Sequence, residues 1–175
     1  MFESLGVRAT AIRMPSQLAE LNGLVIPGGE STAIAKLMLS YGFYDPIRQH
    51  HSAGLAIWGT CAGAILIARE ILDAVPGQES LGLMDITVRR NAFGRQVDSF
   101  EADLDFAHLE DGTFRGVFIR APWIEELGAD VEPLASHEGM VVAARQGDLM
   151  ATAFHPELTG DPRVHRFFAE HVVAS

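Results

Sequence analysis

The chain has 175 residues, of which 48% are hydrophobic and 21% are charged, and its formal net charge is −10. This length and composition predict a single soluble domain over residues 1–175 and argue against a disordered chain. The acidic balance argues against a nucleic-acid-binding surface. The single cysteine, Cys61, excludes an intrachain disulfide and favours a cytoplasmic protein. From the residues given, we expect neither a signal peptide nor a membrane-spanning segment.

Short apolar runs that end in glycine or proline alternate with helix-like segments in the first half of the chain. Residues 24–26 and 55–58 are predicted to be strands. The first is followed by a predicted helix with Ser31 as its N-cap, and the second by an apolar helix over residues 62–72. Because the strand-like runs are apolar throughout, they indicate strands covered on both faces, as in a parallel sheet.

The second half of the chain has a different pattern. Residues 83–88 predict a strand that leads into a polar loop at 90–96. Three further strand-like segments lie too close together for helical crossovers between them: residues 116–119, 140–144 and 149–154. A helix capped by Asp161 is predicted to follow. Together these elements predict one α/β domain in which a small antiparallel section is attached to a parallel core.

The strongest chemical signal is the sequence Gly59-Thr60-Cys61-Ala62-Gly63, which lies between a predicted strand and a predicted helix. A turn this tight leaves no room for a Cβ atom at its flanking positions, and it presents the central side chain at a helix N-terminus. There the helix dipole and the free N–H groups favour a thiolate nucleophile. The alternative is a buried structural cysteine, since free cysteines are among the most buried residues. The two glycines at a strand-to-helix junction favour the nucleophile.

Of the seven histidines, His155 is the predicted catalytic base. It begins the sequence His155-Pro156-Glu157 after a predicted strand, and proline holds the preceding residue in an extended conformation. In an extended chain, residues two apart project to the same side, so the Glu157 carboxylate can orient the imidazole as the third member of a triad. The alternative is a strand-end histidine beside a surface glutamate. We expect no metal site, because no second histidine or cysteine stands at ligand spacing.

Hydrolysis through a tetrahedral intermediate also requires backbone N–H donors for the developing oxyanion, each worth roughly 3 kcal/mol. One donor is predicted at Ala62, the residue after the nucleophile. A second is predicted at Gly29, in the glycine pair Gly28-Gly29 that follows the first predicted strand. Paired glycines after a strand are usually only a turn. The functional interpretation therefore depends on the other two motifs.

Three segments together resemble the class I, or triad-type, glutamine amidotransferases: Pro27-Gly28-Gly29-Glu30-Ser31-Thr32, Gly59-Thr60-Cys61-Ala62-Gly63 and His155-Pro156-Glu157. Two further segments look like the glutaminase subunit of pyridoxal 5′-phosphate synthase: RNAFGRQVDSFE at residues 90–101 and Phe118-Ile119-Arg120-Ala121-Pro122. The resemblance extends from about Met14 to the last residue. It implies a three-layer, flavodoxin-like domain with a mostly parallel sheet.

The resemblance implies that the chain hydrolyses L-glutamine to glutamate and ammonia, with Cys61 as the nucleophile and His155 and Glu157 completing the triad. It also implies glutamine contacts from six residues: Gly29, Glu30, Ser31, Arg90, Ile119 and Arg120. The chemistry agrees, because the two arginines suit the substrate α-carboxylate and Glu30 or backbone carbonyls suit its ammonium group. The alternative for the arginines is a solvated surface pair.

The implied partner is a (β/α)₈-barrel synthase subunit in a hetero-oligomer, which receives the ammonia and builds pyridoxal 5′-phosphate (vitamin B6) from a pentose phosphate and a triose phosphate. The resemblance implies no cofactor for the glutaminase itself. Family members begin with an apolar strand, a Gly-x-Gln-Gly loop and a helix that are absent here. We therefore expect the chain to be truncated relative to the family, with Met1 inside the first helix and the first strand missing.

Two other functions are compatible with parts of this pattern. One is a truncated glutaminase that binds the synthase subunit without hydrolysing glutamine, and ammonia release in the presence of that subunit separates it from an active enzyme. The other is an elbow-cysteine hydrolase or redox sensor, which would act on esters or peroxide and would not need residues 90–101.

Overall fold

The fold is built on a mixed eight-stranded sheet with a two-stranded sheet beside it. The computed structural model describes residues 1–90 and 99–173. The strands are β1 (Gly23–Ile26), β2 (Ala56–Thr60), β3 (Ala68–Leu72), β4 (Met84–Arg89), β5 (Ser99–Leu104), β6 (Phe114–Ile119), β7 (Trp123–Leu127), β8 (Glu132–His137), β9 (Met140–Gln146) and β10 (Leu149–Thr152). The α-helices are α1 (Ser31–Ser40), α2 (Tyr44–Ser52), α3 (Ala62–Ile67) and α4 (Arg163–Phe167). Short 3₁₀ helices lie at Phe2–Leu5, Pro15–Glu20 and Pro156–Leu158, and a π-helical segment at Phe168–Val172.

The strand order in the large sheet is β1-β2-β10-β9-β7-β4-β3, and β8 also pairs with β9. Strand β2 is parallel to both of its neighbours, β1 and β10, and β3 is parallel to β4. The other pairs in this sheet are antiparallel, as is the β5–β6 pair. The predicted flavodoxin-like α/β class is confirmed, with an antiparallel section that includes more strands than expected. Because β1, β2 and β10 are parallel neighbours, their carboxyl ends lie side by side at one edge of the sheet.

Strand β2 is the centre of the hydrophobic core, and all five of its residues are buried. Ile57 belongs to an apolar cluster that includes Ile47 of α2 and Leu66 of α3. Trp58 belongs to a second cluster, which contains Phe118 of β6 and residues of the C-terminal helical segment. Successive residues of a strand point to opposite faces of the sheet. The sheet is therefore covered on both sides here, as the apolar runs predicted.

The prediction of one helix over residues 62–72 is wrong beyond Ile67, where α3 ends and β3 follows at once. The carbonyls of Leu66 and Ile67 accept hydrogen bonds from the backbone N–H groups of Leu81 (2.7 Å) and Leu83 (3.0 Å). These bonds replace the ones that a longer helix would make at its end. Strand β3 then pairs with β4. Tertiary hydrogen bonds and strand pairing thus outweigh the local preference for helix.

The N-cap of α1 is Glu30, and the prediction that Ser31 caps this helix is wrong. The carboxylate oxygens of Glu30 accept hydrogen bonds from the backbone N–H groups of Thr32 (3.0 Å) and Ala33 (2.7 Å). Ser31 is instead the first helical residue, and its hydroxyl accepts a hydrogen bond from the Gln78 amide at 3.0 Å. The longer glutamate side chain satisfies two of the N–H groups that are free at a helix start.

Apart from Arg90, the polar loop predicted at 90–96 lies outside the described residues. The N-cap of α4 is Pro162 and not the predicted Asp161, although the N–H of Arg163, the first helical residue, donates to the Asp161 carboxylate at 2.9 Å. In the parts of the chain that the structure describes, no helix has both the length and the apolar character that crossing a membrane would require.

The N-terminal end of α3 packs directly on β1. A Cβ atom on Gly63 would overlap the backbone carbonyl of Ile26. We expect Gly63→Ala to destabilise the fold by about 3 kcal/mol or more, because a backbone carbonyl cannot move aside as a flexible side chain can. Gly160→Ala is the matched control, since a Cβ atom there has no heavy atom within 4 Å. Urea unfolding of the two variants tests this, and equal midpoints would contradict the packing described.

His165 lies in the aromatic cluster behind β2, with its ring 5.0 Å from that of Phe2 and 5.1 Å from that of Trp58. Only 5% of the residue is exposed, and within the described residues its Nδ1 atom has no hydrogen-bond partner. Burial lowers the pKa of His165 to about 4. The unfolded chain, in which a histidine has a pKa of about 6.5, therefore binds a proton more readily than the folded protein does.

This difference predicts that His165 weakens the fold as the pH falls. The free energy of unfolding begins to decrease as the pH falls through about 6.5, the pKa in the unfolded chain. The decrease reaches on the order of 3 kcal/mol near the pKa in the folded protein. His165→Phe removes this proton uptake, so the variant should lose less stability than the wild type between neutral pH and about pH 4. Urea unfolding of both proteins at a series of pH values measures the difference. Parallel stability curves for the two proteins would show that His165 does not titrate in this way.

Candidate active site

Cys61 lies on the tight turn between β2 and α3, with φ +49° and ψ −105°. Such a backbone conformation is strained for a residue with a side chain and persists where the surrounding structure enforces it. The Cys61 N–H donates to the carbonyl of Thr152 on β10 at 2.7 Å. A Cβ atom on Gly59 would overlap the backbone of Gly63, and one on Gly63 would overlap β1. The turn has the geometry expected of a nucleophile elbow.

His155 and Glu157 follow β10 and form a hydrogen-bonded pair. The Nδ1–H of His155 donates to Oε1 of Glu157 at 2.8 Å. The His155 side chain is 13% exposed and that of Glu157 is 43% exposed. The backbone N–H of His155 donates to the carbonyl of Val117 on β6 at 2.8 Å, which fixes the start of this segment against the small sheet. The imidazole is therefore held by its own backbone and by the carboxylate two residues later.

The charges of these groups favour a protonated imidazole beside the cysteine. The neighbouring Cys61, followed by the hydrogen bond to Glu157, raises the pKa of His155 to about 10 against the opposing effect of burial. Burial raises the pKa of Glu157, but the hydrogen bonds from His155 and from its own backbone N–H outweigh it, so the net pKa of Glu157 lies below its ordinary value. Glu157 is thus ionised and His155 is cationic, so the carboxylate stabilises the charge on the imidazole.

A cleft of about 270 Å³ opens above the cysteine. Nine of the ten predicted site residues line it: Gly29, Glu30, Ser31, Cys61, Ala62, Arg90, Ile119, Arg120 and His155. Glu157, the tenth, pairs with the ring of His155 and is not among the lining residues. Two lining residues, Ile65 and Pro122, were not predicted as site residues. The position of Ile65 four residues after Cys61 on a helix was a usable signal, because such residues share a helix face.

The predicted oxyanion donors lie at the edges of this cleft. Ala62 is the first residue of α3, so its N–H points out of the helix start. Gly29 has φ +148°, a conformation that is open only to glycine. The N–H of Gly28 donates to the hydroxyl of Thr60 at 3.1 Å. This last contact connects the loop after β1 to the residue before the nucleophile.

The charged residues of the cleft lie close to one another. The Arg90 side chain is 13% exposed, and its Nη2 lies 3.7 Å from Oε1 of Glu30. The pKa of Glu30 is lowered chiefly by the hydrogen bonds from Thr32, and Arg90 adds to this. Arg120 has φ +43°, another strained conformation at the cleft. The carbonyl of Ile119 lies 3.8 Å from Sγ of Cys61. The structure thus places both predicted arginines at the rim of a cleft and not on an isolated surface.

The cleft holds a thiol and an imidazole, with a carboxylate behind the imidazole, and these groups can carry out acyl transfer. Within residues 1–90 and 99–173, no three histidine, cysteine, aspartate or glutamate side chains are grouped so that they could hold a metal ion. A thiol, an imidazole and a carboxylate arranged in this order can act as a nucleophile, its base and the group that orients the base.

Comparison with known proteins gives consistent matches. The model of the SNO glutamine amidotransferase family matches residues 1–174. A pyridoxal 5′-phosphate synthase subunit PdxT from Acidothermus cellulolyticus is 54% identical over 174 residues, which cover 97% of this chain and 84% of that protein. A protein of the same name from Herpetosiphon aurantiacus is 56% identical over 170 residues, which cover 96% of this chain and 90% of that protein. A solved structure described as a glutamine amidotransferase has a TM-score of 0.92 at 48% identity, covering 99% of this chain and 90% of that chain.

The family model covers nearly the whole chain, and more than half of the aligned residues are identical in these relatives. The likeness includes the segments that carry the elbow and the paired histidine and glutamate. The chain therefore belongs to the SNO glutamine amidotransferase family.

Proposed function

We propose that this protein hydrolyses L-glutamine through a Cys61–His155–Glu157 triad. The observation that carries the proposal is the 2.8 Å hydrogen bond from His155 to Glu157 beside a cysteine on a strained turn, at one wall of the cleft. Because Nδ1 of His155 is bonded to Glu157, its Nε2 is the nitrogen available to Cys61. Membership of a glutamine amidotransferase family supports glutamine as the substrate.

The reaction proceeds in two stages on these residues. The Cys61 thiolate attacks the side-chain amide carbon of glutamine, and the tetrahedral intermediate collapses as His155 donates a proton to the leaving nitrogen. Ammonia departs and a γ-glutamyl thioester remains on the sulfur. His155 then accepts a proton from water, which attacks the thioester and releases glutamate and the free thiolate. Glu157 holds the imidazole in the required orientation throughout and stabilises its positive charge.

The negative oxygen of each tetrahedral intermediate requires hydrogen-bond donors. The N–H groups of Ala62 and Gly29 are assigned to this task, since they belong to residues on two walls of the cleft next to the nucleophile. Removing one such donor from a hydrolase typically lowers kcat by about 10²–10³.

The substrate's α-carboxylate and ammonium groups select glutamine over a simple amide. Arg90 and Arg120 are assigned to the α-carboxylate, because both line the cleft and a guanidinium can bind a carboxylate through two parallel hydrogen bonds. Glu30 or nearby carbonyls, including that of Ile119, are assigned to the ammonium group. Ser31 and the backbone of Gly29 complete the glutamine contacts.

The ammonia is proposed to pass to a (β/α)₈-barrel synthase subunit that makes pyridoxal 5′-phosphate. The relatives support this assignment, since they are named as subunits of pyridoxal 5′-phosphate synthase, and the barrel fold of the partner is what the sequence resemblance implies. In such a hetero-oligomer the barrel subunit uses the ammonia, so hydrolysis of glutamine in its absence would waste the product. We therefore expect the isolated chain to hydrolyse glutamine slowly and the synthase subunit to accelerate it.

The triad predicts a specific pattern of losses in the complex with the synthase subunit. Cys61→Ser should lower glutamine-dependent formation of pyridoxal 5′-phosphate by about a thousandfold or more, because no thioester can form. His155→Asn should be nearly as damaging, and Glu157→Gln should be less so, since Glu157 orients the base without transferring the proton. Synthesis with added ammonium salt should be unchanged in all three variants, which controls for correct assembly.

Ammonia release by Cys61→Ser at the wild-type rate would remove Cys61 from the mechanism. A wild-type complex that assembles but releases no ammonia from glutamine would identify a binding partner without activity. Cleavage of esters or reduction of peroxide without any action on glutamine would identify a hydrolase or redox sensor. A wild-type rate that is equal with and without the synthase subunit would contradict activation by the partner.

A further inference from the structure

The loop that carries Gly29 is held at both of its ends. At the start, the N–H of Gly28 donates to the Thr60 hydroxyl at 3.1 Å. At the end, the carboxylate of Glu30 accepts hydrogen bonds from two backbone N–H groups of α1. The peptide between Gly28 and Gly29 lies between these two anchors, and glycine allows it to turn about bonds that a Cβ atom would restrict. The direction of the Gly29 N–H therefore depends on how firmly the two ends are held.

The Thr60 hydroxyl lies where it can fix the loop relative to the nucleophile. Thr60 is the last residue of β2 and directly precedes Cys61, and only 4% of it is exposed. Its hydrogen bond crosses from β2 to the end of the parallel neighbour β1. The end of β2 thus positions both the sulfur of Cys61 and the N–H of Gly28.

Gly28 is also packed tightly against the triad. A Cβ atom on Gly28 would overlap Cε1 of His155 and would lie 3.3 Å from Cβ of Cys61. If Gly28 moved toward the cleft, it would collide with the His155 ring. If Gly28 moved away from the cleft, Gly29 would move away from Cys61. The anchor at Gly28 is consequently the point at which the loop, the base and the nucleophile are held in a common arrangement.

We propose that Thr60 is a positioning residue for glutamine hydrolysis. Its hydroxyl accepts a hydrogen bond from the Gly28 N–H, and this bond orients the Gly29 N–H toward the oxyanion. This inference rests on the proposed function. The hydroxyl does not touch the substrate, so its loss weakens stabilisation of the transition state more than binding of glutamine.

The test compares three variants in the complex with the synthase subunit. Thr60→Val removes the hydroxyl at nearly constant volume, and Thr60→Ser keeps it. Thr87→Val is the matched control, because Thr87 is also a buried strand threonine, 3% exposed, but its hydroxyl bonds to Glu126, which is not among the cleft-lining residues. Steady-state kinetics with glutamine give kcat and KM for each, and synthesis from added ammonium salt checks assembly. Amide hydrogen exchange at Gly28, followed by NMR, reports on the anchor independently of activity.

Thr60→Val is expected to lower kcat about tenfold with KM changed less than about twofold, and to speed exchange at the Gly28 amide about fivefold or more. Thr60→Ser and Thr87→Val should keep kcat within about threefold of the wild type. Equal kcat in Thr60→Val and the wild type would overturn the inference, as would equal damage from valine and serine or unchanged exchange at Gly28. A wild-type complex without glutamine hydrolysis would overturn the proposed function instead, and exchange at Gly28 would still decide whether the anchor exists.

Discussion

The structure depends on the close contact between the start of α3 and the end of β1. Gly63 has no side chain, so the helix can begin directly against the Ile26 carbonyl. This contact forces the turn at Cys61 into its strained conformation, because β2 must pass into α3 within a single residue. The sulfur is therefore presented at a helix start beside the loop that follows β1. A larger residue at position 63 would separate these two parts of the cleft.

Parallel pairing of β1, β2 and β10 brings the remaining groups to the same place, since all three strands end at one edge of the sheet. Two histidines show how far the surroundings set the chemistry. His155, with Cys61 and Glu157 as partners, has a pKa raised to about 10, whereas His165, buried among aromatic rings, has a pKa lowered to about 4. The first is suited to hold a proton in the cleft, and the second stays neutral inside the core.

The site was more predictable from the sequence than parts of the fold. The turn at Cys61, the His155–Glu157 pair and the glycine loop after β1 are each indicated by residues that are neighbours in the sequence. Arg90 and Arg120 were indicated by the family resemblance. Strands β3, β5, β7 and β8 were not predicted. Strands β3 and β7 depend on partners elsewhere in the sheet, because β3 pairs with β4, and β7 pairs with β4 and β9. Strands β5 and β8 pair with the strands that follow them in the chain, β6 and β9. The Thr60 contact with Gly28 joins residues that are 32 positions apart, and no local pattern indicates it.

Covalent trapping of the nucleophile by a glutamine analogue that carries an electrophilic ketone in place of the amide tests the assignment of Cys61 most directly. We expect modification of Cys61 alone, located by peptide mass spectrometry. Added glutamine should slow the modification, and His155→Asn should greatly reduce it. Modification of another residue would contradict the assignment of the nucleophile. Modification of Cys61 that glutamine does not slow would show that the cleft above it does not bind glutamine.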